Sequence, residues 1–312
     1  IYTRRIINKN FINTKYASTN TESSLQKLES HQTEHNQSPI SIGHTRWATH
    51  GPKTDVNAHP HLCSHQLFSV VHNGIIENFQ ELKLFLEQKG FTFKSQTDTE
   101  VIVNLISYYF QEYQDVSKSI NAAILKLEGT WGLCILYLLE PNKLYATRHG
   151  SPLLVGQSEK NAYICSEQSG FCGSVNNYFV LKNNDLCILE MNQDNQISIT
   201  TNEQYTLENL NQLNLELSPE PYPHWTLKEI HEQVDSCLRA ISFGGRLISK
   251  SEVRLGGLED NKSDLMDIDN LIILGCGTSY NSGMIGVNYF KELCHFNTVQ
   301  IFDGAEFNYN DI

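Results

Sequence analysis

The chain has 312 residues, which is enough for two domains of ordinary size, and its composition of 40% hydrophobic and 19% charged residues is typical of a globular protein. The formal net charge of −12 argues against a nucleic-acid-binding protein, because such proteins usually carry a basic patch. No segment has the apolar length of a membrane span or the pattern of a signal peptide.

The first 190 residues combine strand patterns with amphipathic helix patterns. A strand at 67–71 leads into His72, Asn73 and Gly74, where the Asn–Gly pair predicts a tight turn. Residues 97–100 have the spacing of a capping box and predict the start of a helix. The other predicted elements are strands at 1–10, 40–42, 91–94, 133–139, 144–147, 153–155, 162–165, 178–181 and 186–189, helices at 78–89 and 117–127, and a polar surface excursion at 13–38. This order predicts an α+β domain with stacked antiparallel sheets.

The last 120 residues change in character. Residues 191–223 are rich in Asn, Gln, Glu and Pro and predict a linker, and 225–241 has the spacing of an amphipathic helix. The apolar run 271–274 predicts a strand buried on both faces of a parallel sheet, and a helix at 280–294 and a strand at 299–302 follow it. One such strand–helix–strand unit cannot bury its own sheet, so we expect an incomplete α/β domain here.

The eight cysteines are scattered along the chain. They form no CxxC pair and no Cys/His cluster with the spacing of a zinc site. We therefore expect reduced thiols in a cytoplasmic protein, with no structural metal.

Residues 44–51, with the sequence HTRWATHG, form the first candidate site. They bring a guanidinium, a large aromatic ring, a hydroxyl and two imidazoles together within eight residues. Arg46 is suited to bind a carboxylate, because its guanidinium offers two parallel donors. The alternative is a strand end with a surface Arg46 and a core Trp47. The histidine-rich segment 57–61 that follows favours a site.

Three other positions have a functional and a structural interpretation. Asn73 and Gly74 could donate hydrogen bonds to an oxyanion, or they could simply form a turn. Asp98 could accept hydrogen bonds from a substrate ammonium group, although capping of its helix is the default interpretation. The glycine turn 275–279 precedes a helix N-terminus and favours a phosphate ligand, but it could also be an ordinary strand-to-helix turn.

Taken in order, these segments resemble the family of isomerizing glutamine–fructose-6-phosphate aminotransferases. The segments that resemble its glutaminase half, a class II amidotransferase domain, are 44–51, 57–61, 71–78, 97–100 and 150–153. The segments that resemble its sugar-phosphate isomerase (SIS) half are 228–230, 232–233 and 274–283. Several ordered motifs from both halves make the resemblance specific.

The resemblance implies an α+β glutaminase domain, a four-layer αββα sandwich of the N-terminal-nucleophile type, followed by an incomplete α/β SIS domain. The implied division is 1–218 for the glutaminase domain, 219–250 for a linker and first helix, and 251–312 for the partial SIS domain. The implied site roles are Arg46 and Asp98 at the two ends of glutamine, Trp47 on a closing loop, Thr49 and His50 in the glutamine pocket, Asn73 and Gly74 in the oxyanion hole, and Thr278 and Ser279 at the sugar phosphate.

The implied reaction moves the amide nitrogen of glutamine to fructose-6-phosphate, giving glucosamine-6-phosphate and glutamate. It needs no metal or organic cofactor, and it implies a homodimer formed through the SIS half, with no nucleic-acid or membrane partner. The nucleophile in this family is a cysteine at the mature N-terminus, whereas the chain begins with Ile1. We therefore expect the chain as written to be truncated and inactive.

Two alternatives stay open at this point. One is a different class II amidotransferase, such as the first enzyme of purine synthesis or an asparagine synthetase, although segment 275–279 argues against it. The other is a non-catalytic homologue that binds glutamine or a sugar phosphate.

Overall fold

The computed structural model describes residues 2–3, 10–18, 23–35, 38–46, 50–210, 220–241, 247–249, 252–253, 258, 261–304 and 307–308. The chain divides into two compact units, Ile1–Leu215 and Glu216–Ile312. The predicted boundary at residue 218 lies outside the described residues, and the assignment of the domains stays a prediction. Among the described residues, none of the helices is long and apolar enough to cross a membrane.

The first unit is built on two antiparallel sheets. The strands are β1 (Tyr2–Thr3), β2 (Ile12–Asn13), β3 (Ser41–Ile42), β4 (His61–Leu62), β5 (Phe68–Ile76), β6 (Gly129–Tyr137), β7 (Lys143–His149), β8 (Leu154–Gln157), β9 (Ala162–Cys165), β10 (Asn177–Val180), β11 (Leu186–Met191), β12 (Ile197–Thr200) and β13 (Glu208–Asn209). The larger sheet has the order β12-β11-β7-β6-β5-β4 and the smaller one β13-β10-β8-β9, while β2-β1-β3 form a short third sheet.

Three helices cover one face of the larger sheet. The helices of this unit are α1 (Ser24–Ser30), α2 (Gln32–His35), α3 (Phe79–Gln88), α4 (Asp98–Tyr113) and α5 (Val116–Ile124). Alternate residues of β6 point to opposite faces, so Leu133 and Ile135 pack in the core shared with α4 and α5, whereas Leu136 packs in the core shared with β8 and β10. The helix–sheet–sheet order confirms the predicted α+β class with stacked antiparallel sheets. The outer face of the smaller sheet packs against Phe171, in the 3₁₀ turn Gln168–Phe171.

Two elements that were predicted from the sequence of the first unit are wrong. Asn73 and Gly74 are not in a tight turn; they lie inside β5, where they pair with Gly132 and Trp131 of β6. The predicted strand at 91–94 is absent as well, because the backbone N–H of Lys94 donates to the Glu100 carboxylate (2.9 Å) instead of to a neighbouring strand.

The second unit contains a parallel strand pair joined by a helix. Its elements are α6 (Trp225–His231), α7 (Gln233–Ala240), β14 (Leu247–Ser249), β15 (Glu252–Val253), α8 (Lys262–Met266), β16 (Asn270–Gly275), α9 (Thr278–Leu293) and β17 (Thr298–Asp303). Strands β16 and β17 pair in parallel, as the apolar run at 271–274 predicted. The predicted burial on both faces is wrong, because one strand–helix–strand unit cannot cover its sheet: Leu274 is exposed and 271–273 are half-buried. The predicted helix at 225–241 is two helices that are separated at Glu232.

Candidate active site

A cavity of about 1200 Å³ in the first unit is lined by two of the predicted site residues. Arg46 and Asn73 line it, and His44, His59 and His72 line it beside them. Of the other predicted residues of this unit, His50, Gly74 and Asp98 are not among the residues that line the cavity, and Trp47 and Thr49 lie outside the described residues. The cavity therefore joins segments that are far apart in sequence, and it is large enough for an amino-acid substrate.

Strand β5 carries Asn73 to this cavity, and Gly74 is the next residue of the strand. The Asn73 carbonyl oxygen Oδ1 accepts a hydrogen bond from His44 Nε2 at 2.5 Å. Gly74 has a φ of +133°, and a Cβ at this position would lie 2.2 Å from the carbonyl oxygen of Thr130. Only glycine fits such a close approach of two strands, so this residue has a conformational reason to be there as well as the predicted chemical one.

Asp98 is a buried carboxylate that ties α4 to β5. Its Oδ2 accepts a hydrogen bond from the backbone N–H of Ile76 (2.9 Å), and its Oδ1 accepts one from the N–H of Thr99 (3.0 Å). Asp98 is not the N-cap residue: Thr97 takes that position, and its side chain accepts from the Glu100 N–H at the long distance of 3.4 Å. Asp98 is only 3% exposed and does not cap its helix, so the default capping interpretation is wrong, and its role in binding the substrate ammonium stays a prediction.

Two histidines flank the Asp98 carboxylate. His50 Nδ1 lies 3.9 Å from Oδ1, and His72 Nδ1 lies 3.8 Å from Oδ2. The His50 ring also meets the ring of Phe79 edge-on at 4.6 Å. His50 thus lies between the Phe79 ring and the Asp98 carboxylate, and its predicted place in the glutamine pocket stays a prediction.

The guanidinium of Arg46 is bonded to its own loop. It donates to the carbonyl oxygens of His50, Gly51 and Pro52, the latter two at 3.4 Å. Burial lowers the pKa of Arg46, and the Asp98 carboxylate opposes this effect. The two groups therefore interact electrostatically, and their roles at the two ends of glutamine stay a prediction.

A network of neutral histidines supports the site. His59 Nε2 donates to Thr99 Oγ1 (2.9 Å), which donates to His72 Nδ1 (3.1 Å), and His72 Nε2 donates to the Thr130 carbonyl (3.3 Å). Burial lowers the pKa of His72 and lowers the pKa of His59 well below its usual value. Burial, and to a smaller extent the Lys15 cation, lowers the pKa of His61 to about 3. These rings are uncharged at neutral pH and act as hydrogen-bonding groups.

The two cysteines that line the cavity are poor nucleophiles. Burial raises the pKa of Cys134 to about 12 and that of Cys165 to about 11. A thiol must lose its proton to attack a carbonyl, so neither side chain supplies a thiolate at neutral pH. Cys63 is also buried, and its sulfur accepts from the Phe68 N–H. Among the described residues, no group of three His, Cys, Asp or Glu side chains is arranged to hold a metal ion.

The predicted phosphate site belongs to the second unit. Thr278 and Ser279 are the first two residues of the 16-residue helix α9, and both are exposed. Gly277 precedes them with a φ of +57°, a conformation that favours glycine. Cys276 Sγ donates to Asp303 Oδ1 (3.2 Å), which ties the turn to the end of β17.

Sequence reasoning missed two groups that shape the site. Thr99 joins His59 to His72, and Lys15 Nζ donates to the carbonyl oxygens of Val56 and Ala58 at 3.0 and 2.9 Å in the loop that carries His59. Thr99 stands inside the quoted capping segment, but only its position facing β5 reveals its role. Lys15 lies in the polar segment 13–38, and a lysine in a polar segment does not by itself indicate a structural role.

Comparison with known proteins decides the nature of the first unit. Residues 44–172, which include Arg46 and Asn73 of this cavity and the buried Asp98, match the family model described as a glutamine amidotransferase domain. The chain carries a glutamine amidotransferase domain. This confirms the family resemblance for the glutaminase half.

Curated relatives of the glutamine amidotransferase domain extend the match to nearly the whole chain. One, from Acanthamoeba polyphaga mimivirus, is 36% identical over 97% of this chain and 48% of its own length, and is named probable glutamine–fructose-6-phosphate aminotransferase (isomerizing). Another, from Clostridium acetobutylicum, is 35% identical over 87% of this chain and 44% of its own length, and has the same name without the qualifier. The chain spans about half the length of the curated relatives it matches.

Among solved structures, the glutamine phosphoribosylpyrophosphate amidotransferase of B. subtilis aligns with a TM-score of 0.45 and 13% identity, covering 83% of this chain and 66% of its own.

Proposed function

We propose that the full-length protein transfers the amide nitrogen of glutamine to fructose-6-phosphate, giving glucosamine-6-phosphate and glutamate. The observation that carries this proposal is the arrangement on β5, where Asn73 lines the cavity, Gly74 follows it, and the N–H of Ile76 donates to the buried Asp98. The names of the curated relatives, at 35–36% identity, support the choice of acceptor. They also favour this reaction over that of another class II amidotransferase.

Glutamine is bound by charge at both of its ends. Its ammonium group pairs with the Asp98 carboxylate, which is desolvated and therefore interacts strongly with a cation. Its carboxylate takes two parallel donors from Arg46. The guanidinium now donates to carbonyl oxygens of residues 50–52, so binding exchanges these neutral acceptors for an ionised one and rearranges the loop that carries His50.

The chemical step is acyl transfer through a tetrahedral oxyanion. The resemblance implies that a cysteine thiolate at the mature N-terminus attacks the side-chain amide carbon, with its α-amine as base. The C–N bond then breaks, ammonia leaves, and water hydrolyses the thioester to glutamate. Asn73 Nδ2 and the Gly74 backbone N–H donate to the oxygen as its negative charge develops, which lowers the barrier more than it stabilises bound glutamine.

The second unit supplies the sugar-phosphate side of the reaction in this proposal. The start of α9 presents the hydroxyls of Thr278 and Ser279 at a helix N-terminus, a combination suited to a phosphate. The Ser279 N–H donates to the Cys276 carbonyl oxygen (3.2 Å), so phosphate binding at this N–H would replace that bond. We assign this unit to a SIS domain within 251–312, and the protein to hexosamine synthesis in the cytoplasm as a homodimer formed through its SIS half.

Two substitutions in the full-length protein test the glutamine site. Arg46→Ala should raise the KM for glutamine by at least about tenfold, because one bidentate charged pair is lost. Asn73→Ala should lower kcat by about a hundredfold with a smaller change in KM, because it removes a donor to the transition state. Exposed Leu125→Ala is the matched control and should leave both constants unchanged. An unchanged glutamine KM in Arg46→Ala would remove the carboxylate contact from this account.

A further inference from the structure

The proposed oxyanion donor Asn73 is held by one specific hydrogen bond. His44 Nε2 lies 2.5 Å from Asn73 Oδ1, although the two residues are 29 positions apart in sequence. An amide oxygen can only accept, so Nε2 of His44 must carry the proton. The bond therefore fixes the tautomer of His44 and the orientation of the Asn73 amide together.

The orientation of this amide decides whether Asn73 can stabilise an oxyanion. The two ends of an asparagine amide are nearly equal in size, so packing alone barely distinguishes them. With Oδ1 bonded to His44, the Nδ2 end is the one directed elsewhere, and no hydrogen-bond partner of Nδ2 is present among the described residues. Asn73 lines the cavity, so this end remains available to a ligand. The flipped amide would instead present an oxygen to a developing negative charge.

The His44 ring is itself held in place by a second histidine. Its centroid lies 4.2 Å from that of His59, and His59 is fixed through Thr99 to His72. Burial lowers the pKa of His44, with the Asn73 bond opposing, so the ring is neutral at pH 7. His44 Nδ1 is buried without a hydrogen-bond partner among the described residues, so the Asn73 bond is the side-chain hydrogen bond that orients this ring. The His72 backbone also opposes the lowering of the His44 pKa.

We propose that His44 is a positioning residue for glutamine cleavage: its Nε2–H holds the Asn73 amide so that Nδ2 faces the developing oxyanion. This inference rests on the proposed oxyanion role of Asn73. His44 acts through Asn73 and does not touch the substrate. Loss of His44 should therefore change the rate of the chemical step and leave the affinity for glutamine nearly unaltered.

The test is a double-mutant cycle in the full-length protein, measured as glutamate release. His44→Leu, which removes the donor, should lower kcat by about tenfold or more while the glutamine KM stays within about threefold. His44→Gln, whose amide N–H can reach Asn73 Oδ1, should recover at least half of that loss on a logarithmic scale. In an Asn73→Ala background, His44→Leu should have almost no further effect, because the group it positions is gone. Should His44→Leu not fold, His44→Asn replaces it, since its amide is one methylene shorter and does not reach Asn73.

The control is His65→Leu, which removes an exposed histidine that bonds Ser107 Oγ and Gln111 Nε2 and does not line the cavity. It should leave kcat unchanged. An equal fall in kcat from His44→Leu in both backgrounds would overturn the inference, since His44 would then act independently of Asn73. A normal kcat in His44→Leu, together with a lowered kcat in Asn73→Ala, would also overturn the inference. A normal kcat in Asn73→Ala would instead overturn the oxyanion assignment on which the inference rests.

Discussion

Buried histidines should make the stability of this protein fall as the pH drops, and His61 offers the sharpest test. Its side chain is 3% exposed and its Nε2 lies 3.1 Å from Thr97 Oγ1. Its pKa is about 3 in the folded protein, whereas the ordinary value of 6.5 applies to the unfolded chain. The unfolded state therefore binds the extra proton over the whole range between these values, and its free energy falls relative to the folded state as the pH decreases.

The size of the effect follows from this difference in pKa. One pKa unit corresponds to about 1.4 kcal/mol, and pH 5 lies 1.5 units below 6.5, so His61 should cost about 2 kcal/mol of unfolding free energy between pH 7 and pH 5. The contribution is fully present above pH 6.5 and is lost progressively between pH 6.5 and 3. His61→Gln keeps a hydrogen-bonding group near Thr97 but removes the titration.

The assay is urea unfolding of wild type and His61→Gln at pH 7 and pH 5. His61→Gln should have a lower unfolding free energy than wild type at pH 7. At pH 5 wild type should have lost about 2 kcal/mol more than the variant, so the difference between them should shrink or change sign. Ile120→Val, a fully buried apolar change, is the control and should cost the same at both pH values. If wild type and His61→Gln lose the same unfolding free energy between pH 7 and pH 5, the reasoning is refuted.

Three further substitutions test how the site is supported. Glu100→Ala should destabilise the protein by about 2–4 kcal/mol in urea unfolding, because three donors, the Lys94 N–H and the N–H and hydroxyl of Ser95, lose their buried acceptor. Lys15→Met should make the loop at 54–60 more open to limited proteolysis, since it removes three hydrogen bonds to backbone carbonyls there; equal cleavage rates would contradict this. Gly74→Ala should prevent normal folding, because its Cβ would overlap the facing strand. Circular dichroism should then show a loss of cooperative melting. Gly90→Ala, whose Cβ would meet no neighbour, should have a much smaller effect on melting.

The sheet core and the general location of the site could be predicted from sequence. Alternation along β6 gives the two faces that pack on helices and on the second sheet, because the period of a strand is fixed by its backbone. The clustered polar residues at 44–51 and 71–78 mark the segments that meet at the cavity. Both signals come from short segments of the sequence, so neither depends on contacts between residues that are far apart in the chain.

The details that depend on contacts distant in sequence could not be predicted. Asn73–Gly74 has the composition of a turn, but pairing with β6 carries the strand through it, and only the approach of Thr130 explains Gly74. Glu100 looks like the second half of a capping box, yet its carboxylate binds the N–H groups of residues 94 and 95. The hydrogen bond from His44 to Asn73 has no local signature at all.

The most direct test of the proposed function is to follow the nitrogen atom. The full-length protein is incubated with glutamine labelled with ¹⁵N at the side-chain amide and with fructose-6-phosphate, and the sugar product is examined by mass spectrometry. The account predicts glucosamine-6-phosphate that carries ¹⁵N, formed in step with glutamate and lost in Asn73→Ala. Glutamine that is bound but not cleaved, or glutamate formed without any labelled amino sugar when fructose-6-phosphate is present, would contradict it.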